Sequence, residues 1–210
     1  MIIAIDGPTA SGKGTIAKRV AAHYGFHLLD TGLLYREVAR AVLDAGQSLQ
    51  NENAASFAAQ KLDFTALDES RLRTREIGDA ASIVSAYPDV RQALSDGQRL
   101  FAQKEPGAVL DGRDIGTVIC PEAEAKLYVT AAPEIRAHRR WLELVKADPS
   151  LSEESVLEDI RRRDERDSTR SNAPLKIAED ARLLDTSGMD IETASREALR
   201  LIETALSRKG

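Results

Sequence analysis

A single cysteine, Cys120, means that this chain of 210 residues can hold no disulfide within itself. Cys120 precedes Pro121 at the end of an apolar run, a position that suits a small buried filler better than a nucleophile. Histidine is nearly as scarce, and His23, His27 and His138 are too scattered to form a metal-ligand spacing. No apolar run approaches the roughly 18 residues needed to span a bilayer, and 30% of the residues are charged. An excess of basic charge is missing as well, since 29 basic against 34 acidic side chains leave a net charge of -5. That balance argues against general binding of nucleic acid or anionic membranes, which depends on a strongly basic surface. The expectation is one soluble, unprocessed, cytoplasmic α/β domain in which any important basic residues act locally.

What the chain does have is concentrated at its start. Met1 to Ile5 is a β-branched apolar run of the kind found in a strand buried on both faces, and it breaks into Gly7, Pro8, Thr9, Ala10, Ser11, Gly12, Lys13, Gly14 and Thr15. In such a strand, loop, helix order, backbone N–H groups turn inward around an anion and the helix adds its positive dipole end, so phosphate is the natural occupant. The strict pattern G-x-x-x-x-G-K-[ST] fails at its last position, because Gly14 follows Lys13 and the hydroxyl is delayed to Thr15.

Periodicity predicts a helix over Gly14 to Tyr24, a strand at His27 to Asp30, and a helix from Thr31 that stops at Gly46. A helix over Asn51 to Lys61 is followed by an exposed polar connection from Leu62 to Arg75. Further helices cover Glu76 to Ser85 and Pro88 to Lys104, Pro88 fitting a first turn. Strands are expected at Ala108 to Asp111, Lys126 to Thr130 and Arg182 to Asp185. The helix from Pro133 to Val145 is broken at Asp148-Pro149, another is capped by Ser152 or Ser155, and the last is capped by Asp190. Strands alternating with helices mean a parallel sheet.

Three arginine-bearing segments lie far apart: D-T-G-L-L-Y-R (Asp30 to Arg36), D-G-R-D-I-G-T (Asp111 to Thr117), and Arg161 to Arg170. The first two begin where strands end, and open parallel sheets bind ligands outside those carboxyl ends. Guanidinium, planar and permanently charged, suits the task of bringing two phosphates together against their repulsion. Asp111 either starts a turn with Gly112 or helps to hold a Mg²⁺ hydration shell beside the loop.

Taken together, G-P-T-A-S-G-K-G-T, D-T-G-L-L-Y-R, D-G-R-D-I-G-T and R-D-x-R-D-x-x-R-x-x-A-P-L make the chain resemble the bacterial cytidylate kinases, over nearly its whole length. The resemblance implies a P-loop NTPase fold: an α/β domain with a five-stranded parallel sheet flanked by helices, an acceptor-binding insertion and an arginine-rich lid. Its parts would be a core (1–35, 107–145 and 176–210), a CMP-binding part (36–106) and a lid (146–175). It implies ATP and Mg²⁺, with Gly7 to Thr15 on the ATP phosphates, Lys13, Arg113 and Arg170 catalytic, and Thr15 near the metal. Thr31, Arg36, Arg113 and Arg170 would surround the CMP phosphate, and Tyr35 would line the acceptor pocket. Ser82, Arg91 and Asp114 match positions that read cytosine, and Arg163 and Asp167 match positions near the sugar. A carboxylate such as Asp114 pairs with the cytosine N4 amino group and opposes the uracil carbonyl.

Bland alternatives stand beside these roles. Arg162 and Arg163 follow Glu158 and Asp159 by four residues and could be helix-face ion pairs worth about 0.3 to 0.5 kcal/mol. Tyr35 could be core, Ser82 an ordinary helix residue, and Asp114 a turn residue. The family's longer β-rich acceptor insert has no room in Leu62 to Arg75. The resemblance implies a monomer that takes CMP or dCMP and ATP, with no nucleic acid or membrane partner. The competing expectations are a kinase of the same fold acting on AMP, UMP, dTMP or a non-nucleotide acid, and a nucleotide switch, although no N-K-x-D motif is present.

Overall fold

Five short apolar runs become strands in the computed structural model, which describes residues 1–64 and 66–207. They are β1 (Ile2–Asp6), β2 (His27–Asp30), β3 (Ala108–Gly112), β4 (Ala125–Thr130) and β5 (Arg182–Asp185). Every neighbouring pair is parallel, in the order β2-β3-β1-β4-β5. Between them run α1 (Lys13–Tyr24), α2 (Thr31–Asp44), α3 (Glu52–Gln60), α4 (Glu69–Leu72), α5 (Arg75–Val84), α6 (Pro88–Ala102), α7 (Pro133–Leu144), α8 (Glu153–Thr169) and α9 (Ile191–Leu206).

The pleat sends alternate side chains to opposite layers. Ala4 of β1 and Leu110 of β3 pack under α2 and α6. Ile3, Ile5 and Val109 point the other way, with Leu127 and Val129 of β4, onto Ile16 and Val20 of α1 and Ala198 and Ile202 of α9. Each fully buried aliphatic side chain of this kind contributes about 1.5–3 kcal/mol. Covering both faces is what a parallel sheet requires, because its strands carry no polar face to give to water.

The helix starts follow local chemistry. Asn51, Thr74, Ser152 and Asp190 each accept a hydrogen bond from a backbone N–H in the first turn of the helix they precede. Of the two candidates for capping α8, Ser152 does so, and Pro88 occupies a first-turn position as expected.

Two expectations need correction. The connection from Leu62 to Arg75 is not simply exposed: it carries α4, and Leu72 is fully buried against Leu33 and Ile77. Thr65 of that connection and residues 208–210 of the expected core lie outside the described residues. The second correction concerns Ile115–Ile119, which forms a π-helical turn where no element was anticipated. An apolar I-G-T-V-I run has no helical period, and the turn takes its shape from a distant carboxylate described below.

The register sets where ligands can sit. Asp6 of β1 lies opposite Gly112 of β3, and Asp30 of β2 lies opposite Asp111, so three strands end together at one edge. The phosphate loop, the Thr31 turn and the Arg113 arm all leave the sheet there.

Replacing Leu72 by Ala tests the corrected connection. The variant should lose about 2–5 kcal/mol in denaturant unfolding, whereas a truly exposed site would change stability by about 0.5 kcal/mol or less.

Candidate active site

The loop after β1 is shaped by close approach. A Cβ on Gly7 would stand 2.0 Å from the Val129 carbonyl oxygen, so only glycine lets the chain turn past β4. Gly12, at φ +87, places the loop in the left-handed region immediately before α1. At Gly14 a Cβ would come 3.3 Å from Asp111 Oδ2. A side chain there would stand against that carboxylate, and in this chain the hydroxyl falls one position later, at Thr15. Thr15 is exposed and opens onto the cleft.

Lys13 is buried, with Nζ donating to the Pro8 carbonyl at 3.4 Å and lying 3.8 Å from Asp111 Oδ1. Burial, with Arg113 nearby, lowers the Lys13 ammonium below the usual lysine range. Burial likewise pushes the Asp111 carboxyl up, against the pull of Lys13. Asp111 Oδ1 has no hydrogen-bond partner. Lys13 and Asp111 face each other with hydrogen-bonding capacity to spare, and an anion at Lys13 and a cation at Asp111 would each favour the charged form.

The loop opens into a cleft of about 680 Å³, a volume typical of small-molecule sites. Thr9 to Thr15 line it at one end, while Gly7 and Pro8 lie behind the lining. At the other end it brings together Thr31, Tyr35, Arg36, Ser82, Arg91, Arg113, Asp114, Arg163, Asp167 and Arg170, all of which the sequence singled out.

Their geometry is that of cations held ready. Arg36 donates only to the Leu72 and Thr74 carbonyls, at 2.8 and 3.5 Å, and has no carboxylate at ion-pair distance among the described residues. Burial, then Arg140 and Arg163, push it down to about 10. Its Nη2 and that of Arg163 would each lie 3.1 Å from a Cβ on Gly78, so two guanidinium groups meet over one glycine. Arg163 is only loosely paired, with Asp79 at 3.7 Å. Arg113 Nε is bonded to Asp167 at 3.0 Å.

Deeper in, Asp114 forms a close ion pair with Arg91 and lies 3.7 Å from Arg170 Nη2, which has no hydrogen-bond partner. Burial and the Arg91 charge hold Arg170 below the usual arginine range. The Arg91 guanidinium lies 5.5 Å over the Tyr35 ring. Tyr35 is thus both core and cleft wall, packing into the layer beneath while its ring faces the cleft. Ser82 Oγ is buried in the wall and unpartnered. Thr31 Oγ1 donates to the Asp111 carbonyl at 2.8 Å, which ties the α2 entry to β3. Arg162, by contrast, makes an exposed ion pair with Asp159 at 2.5 Å, three residues away instead of four.

The sequence model of the cytidylate kinase family matches residues 3–204. The chain belongs to the cytidylate kinase family. It is 58% identical to a cytidylate kinase of Rhodopseudomonas palustris over 97% of this chain and 96% of that one. It is 60% identical to one of Azorhizobium caulinodans over 98% and 99%, and 52% identical to one of Rhizobium meliloti over 99% and 98%. Among solved structures, an uncharacterized protein from Eubacterium ventriosum superposes with a TM-score of 0.57 at 17% identity, covering 97% of this chain and 99% of that chain. A Thermus thermophilus protein superposes at 0.50 with 24% identity, covering 98% and 97%. These two bear on the fold alone.

Several residues around this cleft carry little local signal in the sequence. Arg139 donates to Thr186 Oγ1 at 3.0 Å and to its carbonyl at 2.7 Å, fixing the turn after β5 beside the phosphate loop. Arg73 pairs with Asp30 at 3.2 Å at the rim. Asp6, the last residue of β1, is buried and accepts from the Ile115 and Gly116 N–H groups. Its place between a core strand and a phosphate loop was the one available signal, since a strand interior has little use for a carboxylate.

Burial raises the Asp6 carboxyl from 3.8 to about 7, despite the two amide donors. The folded protein therefore binds this proton more tightly than the unfolded chain between those pH values, so the contribution to stability falls as pH rises through the window. The slope approaches about 1.4 kcal/mol per pH unit. Thermal unfolding between pH 5 and 8 should decline more steeply for the wild type than for Asp6→Asn, and parallel curves would refute the assignment.

Proposed function

We propose that this protein transfers the γ-phosphoryl group of ATP to CMP or dCMP, giving ADP and CDP or dCDP. The observation that carries this reading is the pairing, in one cleft, of a phosphate loop with a second arginine-rich pocket that ends at the Asp114 carboxylate. Family membership and the named relatives agree with it.

ATP lies with its phosphates in the Gly7–Thr15 loop, against the loop amides and Lys13. The acceptor phosphate lies among Thr31, Arg36, Arg113 and Arg170, where Arg36 and the free Nη2 of Arg170 await an anion. Its base meets Asp114, Arg91 and the unpartnered Ser82 hydroxyl, with Tyr35 along the wall, while Arg163 and Asp167 serve the sugar. The carboxylate of Asp114 retains lone pairs beyond the one used by Arg91, and a cytosine N4 amino group can take one.

The nucleophile is an oxygen of the acceptor's own phosphate, anionic near neutral pH, so no general base is needed. Catalysis is positioning and charge neutralisation: Lys13 on the donor, Arg113 and Arg170 across the two phosphates. Mg²⁺ fits the donor end, where the unpartnered Asp111 Oδ1 and the hydroxyl of Thr15 are oxygen ligands of the type it takes. When bound, it supplies neutralisation of the β- and γ-phosphate charge. Among the described residues no three acidic, histidine or cysteine side chains converge as a metal cage, which favours an ion arriving with the nucleotide.

Water must be kept from the γ-phosphate, or ATP would be hydrolysed. The division into a core (1–35, 107–145 and 176–210), an acceptor part (36–106) and a lid (146–175) serves this purpose. Ion pairs cross from the acceptor part to the lid, Arg75 to Asp159 at 2.6 Å and Arg166 to Asp79 at 2.6 Å, so closing over the acceptor and closing over the donor are linked. No helix among the described residues is long and apolar enough to cross a membrane, and a cytoplasmic site of action suits a nucleotide kinase.

Initial rates of ADP release with CMP, dCMP, UMP, AMP and dTMP check the substrate, and preference for any but the cytidine nucleotides would sink the base reading. Asp114→Asn should cut the preference for CMP over UMP about 10- to 100-fold. Arg170→Ala should lower turnover of CMP about 100-fold or more, and unchanged turnover would remove its place at the phosphates.

A further inference from the structure

We propose that Asp6 is a positioning residue for base recognition: its buried carboxylate clamps the turn after Asp114 and so holds the Asp114 carboxylate where the acceptor base is read. The inference depends on the reading of Asp114 given under the proposed function.

Asp6 Oδ1 accepts from the Ile115 N–H and Oδ2 from the Gly116 N–H, each at 2.8 Å. These donors open the π-helical turn Ile115–Ile119, so they have no partner inside the turn and would be orphaned without the carboxylate. On its other side the backbone of Asp114 is tied by its own carbonyl, which accepts from Val118 at 2.8 Å and Ile119 at 3.2 Å. Asp114 is thereby held at φ -142 and ψ 22, the conformation from which its side chain reaches Arg91 and Arg170.

The neighbours leave the Asp6 carboxylate no other task. The Lys126 stem packs beside Gly116, but its Nζ is engaged by the Pro121 carbonyl at 2.6 Å and Asp180 at 2.8 Å, and the charged groups that act on Asp6 are the carboxylates of Asp114 and Asp111. Asp6 has no ion pair among the described residues, and a buried carboxylate without a cation is costly. The two amide bonds to the turn offset that cost. Gly116 lies close by, where a Cβ would stand 3.0 Å from Lys126 Cδ and 3.4 Å from Asp6 Oδ2, the second an ordinary contact. Asp6 is also bonded directly to Gly7, where the phosphate loop begins. One residue thus joins the start of the donor loop to the arm that reads the acceptor, across a distance that in-line transfer must hold constant.

Steady-state kinetics of Asp6→Asn, Asp114→Asn and the double variant, with CMP, UMP and ATP each varied, test the clamp. Asp6→Asn should raise KM for CMP and lower the CMP-to-UMP ratio of kcat/KM about tenfold, with KM for ATP moving by roughly twofold or less. Added to Asp114→Asn it should cost little more, because both act through one carboxylate. Additive losses, or equal losses on CMP and UMP, would overturn the clamp. If Asp114→Asn leaves the ratio unchanged, the base reading falls and the clamp with it. If Asp114→Asn erodes the ratio and Asp6→Asn does not, the clamp alone is wrong. Asp6→Ser covers an Asp6→Asn protein that does not fold: a single hydroxyl cannot accept from both the Ile115 and Gly116 N–H groups, so the same ratio should fall, and an unchanged ratio in the folded Asp6→Ser protein would overturn the proposal.

Discussion

Arg36, Arg163 and Arg170 are gathered in one cleft with their guanidinium groups held below the usual arginine range, chiefly by burial and in each case by other arginines nearby. Such convergence is unfavourable unless anions balance it. Asp114 and Asp167 supply part of that balance, in pairs with Arg91 and Arg113, and the remainder is left as an unmet demand at Arg36 and at Arg170 Nη2. The rest of the structure serves to maintain this imbalance: the two apolar layers stabilise the fold, and the cleft spends some of that stability on charge. An anion bound there would relieve it, and under the proposed function that anion is the acceptor phosphate, so the unmet positive charge would become binding free energy directed at one chemical group.

The sheet makes this economical. Parallel strands end together, and the loops leaving β1, β2 and β3 deliver Lys13, Thr31 and Arg113 to one edge without long connections. Close backbone approaches set the finer geometry. Gly7 allows the loop to pass under the Val129 carbonyl, Gly14 leaves space for the Asp111 carboxylate, and Gly78 lets Arg36 and Arg163 meet. The departure at position 14 from the strict phosphate-loop pattern thus puts a glycine directly against Asp111, a residue almost a hundred positions away.

Much of this was legible in the chain. Five strands and the long helices appear within a few residues of where periodicity and caps place them, because those signals are local: β-branched runs, Asn51 and Asp190 as caps, and Pro88 at a first turn. The arginine segments were legible because guanidinium groups beside strand ends have few other uses. Less legible were α4 and the π-helical turn. Leu72 is buried by Leu33 and Ile77, and the turn is shaped by Asp6, in each case by partners too distant for any local pattern to name. Arg139 was missed for the same reason, since only the fold brings Thr186 to it.

By itself, the sequence determined the alternation of strand and helix, the phosphate loop, and the inventory of charged groups available to a nucleotide, because these depend on residue type and short-range spacing. Only the tertiary structure decided the strand order, which of those arginines are paired and which are free, and that the carboxylate of Asp6 holds the turn beside Asp114. The physical reason is that burial and long-range pairing set the charge and direction of a side chain, and both are properties of the assembled core.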